Sequence, residues 1–90
     1  MKYNFDEIID RKNNHSTKYN ELIKKFGVDD VIPLWIADMD FKTAEPVINA
    51  VKKKAEHGVF GYVYRPDEYF ESFINWQKKR FGWEPKKELL

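Results

Sequence analysis

Apolar residues recur at helical spacing in four stretches of the chain and bunch together in a fifth. Phe5, Ile8 and Ile9 predict one short helical turn ahead of the polar break Asp10-Arg11-Lys12-Asn13-Asn14. Leu22, Ile23 and Phe26 share a face of a second short helix, from Lys18 to Phe26. Gly27 stops it, because glycine enters the left-handed conformation cheaply. Val47, Ile48, Val51 and Ala55 form an apolar stripe with lysines opposite. Thr43 is the expected N-cap of that helix, Pro46 falls in its first turn where a missing N–H costs little, and Gly58 ends it. A last helix starts near Pro66 or Asp67 and runs to Phe81, with Phe70, Phe73, Ile74, Gln77 and Phe81 on one face and Gly82 as its cap. Tyr69 and Trp76 widen that stripe.

The fifth stretch, VIPLWIA at 31–37, is apolar without helical spacing. It reads as a short buried strand. Pro33 cannot donate to a ladder, which puts it at a sheet edge or a strand start, and the Asp38-Met39-Asp40 turn leaves it at the carboxyl end. The expected fold class is therefore α+β, mostly helical with one short strand. The tail WEPKKELL holds Trp83, Leu89 and Leu90 with no later element to bury them.

Composition narrows the classes. Ninety residues allow at most one small domain. A chain of that size buries only about 60% of the surface its unfolded form exposes. The aromatic fraction of 17% suggests a core, an interface or a ligand pocket in excess of what a small helical domain needs. A net charge of +1 gives no clustered positive excess for nucleic acid or an anionic membrane, and neither partner is expected. Lys52-Lys53-Lys54 reads as a solvated helix face. The absence of cysteine excludes disulfides and fits a reducing cytoplasm, and MKYNFDEIIDRKNN lacks the apolar run of a secretory signal.

Residue types alone offer little chemistry. Asp38 and Asp40 would point the same way from an extended segment, but a hard cation needs several more oxygen ligands, so a turn or capping role is expected and no metal. His15 and His57 lack ligand spacing and read as surface or hydrogen-bonding histidines. Gly58-Val59-Phe60-Gly61 is no phosphate-binding fingerprint. Phe60, Tyr62 and Tyr64 crowd an apparent loop, and on residue types alone they form a patch of local core. Gly61 permits an unusual turn before Tyr62, whose phenol can donate to an anion.

The series D-R-K-x-x-x-S-x-K-Y, then V-I-P-L-W-I-A-D-M-D-F-K-T-A-x-P, E-H-G-V-F-G-Y, Y-R-P-D and N-W resembles the cystathionine beta-lyase / C–S lyase branch of the class I/II aminotransferases. That branch uses pyridoxal 5'-phosphate and includes the maltose-regulon modulators. The likeness runs from about Phe5 to Trp83. Tyr19-Asn20 departs from the family's frequent Trp-Asp.

Members of the family run to several hundred residues. The resemblance therefore implies that residues 1–90 are the N-terminal segment of a fold-type I enzyme, comprising part of its small domain and the start of its large domain. It implies a homodimer in the parent enzyme, acting on a small amino-acid substrate. The Schiff-base lysine, the aspartate facing the pyridine nitrogen and the arginine that grips the substrate carboxylate belong to the absent part, so no catalytic residue is expected here. Tyr62 matches the tyrosine that reaches the phosphate of the neighbouring subunit's cofactor. Ala37 matches the small residue whose backbone N–H meets the substrate α-carboxylate, and Trp35 and Ile36 lead into the pocket. Phe60 stays with the local core. Arg65 would add positive charge near the mouth or pair with Asp67. The implied reaction is β-elimination from a cysteine S-conjugate to thiol, pyruvate and ammonia. A transaminase of the same branch and a free-standing helical interaction module are the alternatives.

Overall fold

The computed structural model describes residues 3–90, which divide into two compact units, Met1–His57 and Gly58–Leu90. The elements in order are α1 (Thr17–Asn20), α2 (Leu22–Phe26), α3 (Glu45–His57), α4 (Asp67–Phe81) and a closing 3-10 turn, Lys87–Leu89. No described residue lies in a strand. The α+β expectation is thus corrected: the described chain is all-helical.

The reason lies in the backbone of 31–37. A strand needs a neighbour to exchange N–H and C=O groups with. No described segment pairs with these residues, bends interrupt the run at Val31 and at Trp35-Ile36, and Pro33 has no N–H to offer. Pro33 is buried, whereas Val31, Ile32 and Leu34 are exposed, so the run is not the interior strand its composition suggested.

The first predicted turn also fails to form. Residues 5–6 make a bend, and the Asp6 N–H is taken by Asn4 Oδ1 at 3.1 Å, a local side-chain bond that competes with helix. Phe5 instead meets Phe41 edge-on, with ring centroids 5.5 Å apart, and Lys42 pairs with Glu7 at 3.0 Å. The helix expected from Lys18 to Phe26 is split at Glu21, whose φ of −105° and ψ of 10° leave the helical basin. Gly27 ends α2 in the left-handed region at φ 76°, and its N–H closes on the Ile23 carbonyl at 2.8 Å.

Helix α3 starts one residue later than a Thr43 cap would allow. The Ala44 carbonyl accepts the N–H groups of Val47 and Ile48, at 3.0 and 3.3 Å, which puts Ala44 at the cap and Pro46 inside the first turn. Acidic and basic residues sit at the ends that complement the helix dipole. Glu45 lies in the first turn of α3 and Lys54 and His57 in its last, while Asp67 and Glu68 open α4 and Lys78, Lys79 and Arg80 close it.

Packing is sparse. Among the described residues the buried ones are Lys18, Leu22, Pro33 and Pro85, and no residue of α3 or α4 is buried. The apolar stripes expected along those helices are largely uncovered: Val47, Val51, Phe73, Trp76 and Phe81 are exposed, while Ile48, Phe70 and Ile74 are only half-buried. Phe60 and Tyr64 are exposed too, so the local-core reading of that patch does not hold. Within Gly58–Leu90, Asp67 pairs with Lys87 and not with Arg65, whose guanidinium lies 5.6 Å from the Phe70 ring centroid. Leu90 shares a shallow apolar groove with Tyr69, Phe70 and Phe73.

Candidate functional site

The densest polar cluster joins the stretch 11–19 to the stretch 35–40. Arg11 is its hub. One terminal nitrogen, Nη1, donates to Asp40 Oδ1 at 2.6 Å and to the Met39 carbonyl at 3.3 Å; the other, Nη2, donates to Ser16 Oγ at 3.2 Å and to the Asp38 carboxylate. Lys18 Nζ donates to the Asp38 carbonyl at 2.9 Å and to Asp40 Oδ2 at 3.0 Å. The Trp35 indole returns the connection by donating to the Lys18 carbonyl at 3.0 Å. Its ring meets Phe26 edge-on at 5.3 Å.

Each contact has a local cause. Helix α1 turns Lys18 inward until only 6% of its surface is exposed, a position a lysine holds only with its ammonium satisfied. Tyr19 presents its ring to both cations, 5.4 Å from the Arg11 guanidinium carbon and 5.9 Å from Lys18 Nζ. The planar guanidinium fork suits two carboxylates at once, which a lysine at position 11 could not match. Arg11 holds the Asp40 carboxyl below its ordinary value, with Lys18 and then Tyr19 adding to the effect. Reciprocally, Asp40 and Asp38 raise the Arg11 pKa.

That depression predicts an acid transition. A carboxylate whose folded pKa is lowered stabilises the fold fully above its ordinary value of 3.8, and the contribution disappears as pH falls through the lowered value. Acidification below 3.8 is expected to loosen residues 35–40 and shift Trp35 fluorescence, read in a Trp76→Phe, Trp83→Phe background. The transition should vanish in Asp40→Asn and weaken in concentrated salt, since these carboxylates remain partly open to solvent.

The residues singled out from sequence separate into two groups. Trp35 and Ile36 are half-buried and Ala37 is exposed, all immediately before the clamped Asp38-Met39-Asp40. Tyr62 belongs to the other unit, between α3 and α4 in a stretch without regular secondary structure, and is fully exposed at 110% relative accessibility. Asp38 and Asp40 bind cations of this chain, and no group of three or more metal-ligating side chains occurs among the described residues. His15 occupies a left-handed turn at φ 52°. Arg11 and Lys18 were not singled out by residue spacing, because their partners lie 20 to 29 residues away. The available signal was the pairing of a basic segment, DRKNNHSTKY, with an acidic one, ADMD.

Comparison with known proteins gives the chain a family. No protein-family model matches the chain. Cystathionine beta-lyase PatB of Bacillus subtilis (strain 168) is 35% identical over 87 residues, 97% of this chain and 22% of the relative. The PLP-bound C–S lyase of Staphylococcus hominis superposes with a TM-score of 0.82 at 37% identity, covering 98% of this chain and 22% of that one. A PLP-bound protein of Clostridium difficile 630, assigned to the aminotransferases, superposes with a TM-score of 0.89 at 48% identity, over 97% of this chain and 22% of that one. The chain belongs to the fold-type I C–S lyase and aminotransferase family, in its cystathionine beta-lyase branch. It spans about a fifth of the length of the relatives it matches.

Proposed function

We propose that residues 1–90 serve as the N-terminal segment of a pyridoxal-phosphate-dependent C–S β-lyase, contributing part of its small domain and the start of its large domain. The observation that carries the reading is the state of Tyr62. It is the most exposed large apolar or aromatic side chain among the described residues, in a chain that matches PLP-bound relatives along nearly its whole length. A tyrosine with no local packing is available to another surface, and a phosphate of the neighbouring subunit's cofactor suits its phenol. The exposed faces of α3 and α4 support the same reading, because a longer polypeptide or a second subunit would cover them.

Tyr62 fits one contact to the cofactor phosphate. Tyr62 offers a single neutral O–H, and the nearest helix N-terminus in sequence, that of α4, carries Asp67 and Glu68, which repel a phosphate. When bound, pyridoxal phosphate would supply the electron sink that accepts the pair left at the substrate Cα on loss of its α-proton, before the β-sulfur departs with its own bonding pair. The part of this chain is to hold and orient. Tyr62 donates to the phosphate, the Ala37 N–H donates to the α-carboxylate of an amino-acid substrate, and Trp35 and Ile36 wall the pocket. No proton transfer is assigned to a residue of this chain.

A phenol donating to a dianion contributes about 1.5–3 kcal/mol. Tyr62→Phe in the full-length protein is therefore expected to weaken cofactor affinity about ten- to a hundredfold, read by loss of cofactor absorbance on dilution. Unchanged affinity would remove Tyr62 from the site. The likeness to a structure assigned to the aminotransferases favours a second reading, amino-group transfer. Product analysis separates the two: cystathionine gives pyruvate and ammonia in a lyase, whereas a transaminase needs an added keto acid and releases no ammonia.

A further inference from the structure

We propose that Arg11 is a positioning residue for the backbone N–H of Ala37, acting together with Lys18 by clamping residues 38–40; this rests on the reading that Ala37 meets a substrate carboxylate. Segment 31–40 has no ladder and no helix to orient its amides. Its polar fixed points are instead side-chain contacts with residues 11–18, beside the packing of Trp35 on Phe26. On one side of Ala37 the Trp35 indole is tied to the Lys18 carbonyl. On the other, Asp38 is held at both ends, its carboxylate by Arg11 and its carbonyl by Lys18. Met39 and Asp40 are then held by Arg11 as well. An amide N–H between two such anchors has its direction set by them, and hydrogen bonds weaken steeply once misaligned.

Arg11 does not serve as the carboxylate receptor itself. A guanidinium has five N–H donors, and both hydrogens of Nη1 and both of Nη2 are already committed, to Asp40, Met39, Asp38 and Ser16. Only Nε–H remains. The arginine is spent on the loop, and its influence on a ligand passes through the backbone it holds.

The test uses the full-length holoenzyme with two probes differing only in the α-carboxylate, S-methyl-L-cysteine and methylthioethylamine. In Arg11→Lys, which keeps the charge but loses the fork, the KM for the amino acid should rise about tenfold while the affinity for the amine, read from cofactor absorbance, stays unchanged. Misplacement of an orienting group by about 1 Å costs up to a hundredfold. Arg11→Gln should show a larger rise. Hydrogen exchange of the 35–40 amides should quicken about tenfold in both variants, a readout independent of turnover. Equal losses for acid and amine would mean a general structural role and overturn the proposal. An unchanged KM despite faster exchange would overturn it too. If the unmutated enzyme holds acid and amine equally, the Ala37 reading fails first and the proposal with it, which separates the two failures.

Discussion

Leu22→Ala is expected to destabilise the Met1–His57 unit by about 2–3 kcal/mol, the lower part of the range for removing a buried leucine side chain. Leu22 is the one buried aliphatic side chain among the described residues, 3% exposed, on a helix of a single turn and a half. Short helices have little intrinsic stability and depend on the face they bury. The loss should fall toward the low end because few other residues of this unit are buried, which leaves the surroundings free to relax into the gap. Ile23, next in sequence, is 62% exposed, and Ile23→Ala should stay within about 0.5 kcal/mol. Urea unfolding followed through Trp35 measures both. Equal effects at the two positions would mean that Leu22 is not the packing centre of this unit.

Lys18→Met should cost about 1–2 kcal/mol in the same assay. Methionine preserves the apolar stem that lies in the fold and removes only the ammonium. What is lost is a pair of charge-assisted hydrogen bonds, to the Asp38 carbonyl and to Asp40. A charged hydrogen bond contributes about 1.5–3 kcal/mol when shielded. The Asp40 side chain is 42% exposed, so solvent screening reduces that figure. Added salt should therefore destabilise the parent protein more than the methionine variant. A variant as stable as the parent would mean that the methionine packs as well as the ammonium bonds, and Arg11 alone would then carry the clamp.

Much of the local structure was legible in the chain. The two long helices were readable from their spacing, and Gly27, Gly58 and Gly82 all take the positive φ that ends a helix. Helical spacing failed for Phe5, Ile8 and Ile9, because the Asn4 side chain claimed the Asp6 amide and no tertiary face received the turn. The strand expected at 31–37 failed for a different reason. An apolar run names what can be buried, whereas a strand exists only where a second backbone lies alongside, and none of the described residues provides it. The family signature was legible in the motifs themselves and is shared with relatives about five times longer.

The candidate site divides along the same line. Tyr62, Trp35, Ile36 and Ala37 were singled out by motif alone, and no periodicity linked them to Arg11 and Lys18. By itself the sequence determined the glycine stops of the helices, the charge pattern and the family, since each of these rests on neighbours in the chain or on residue identity. The ion cluster that holds residues 38–40 was decided only by the tertiary structure. Its partners meet across 20 to 29 residues, and attraction between charges depends on distance in space, which folding alone sets.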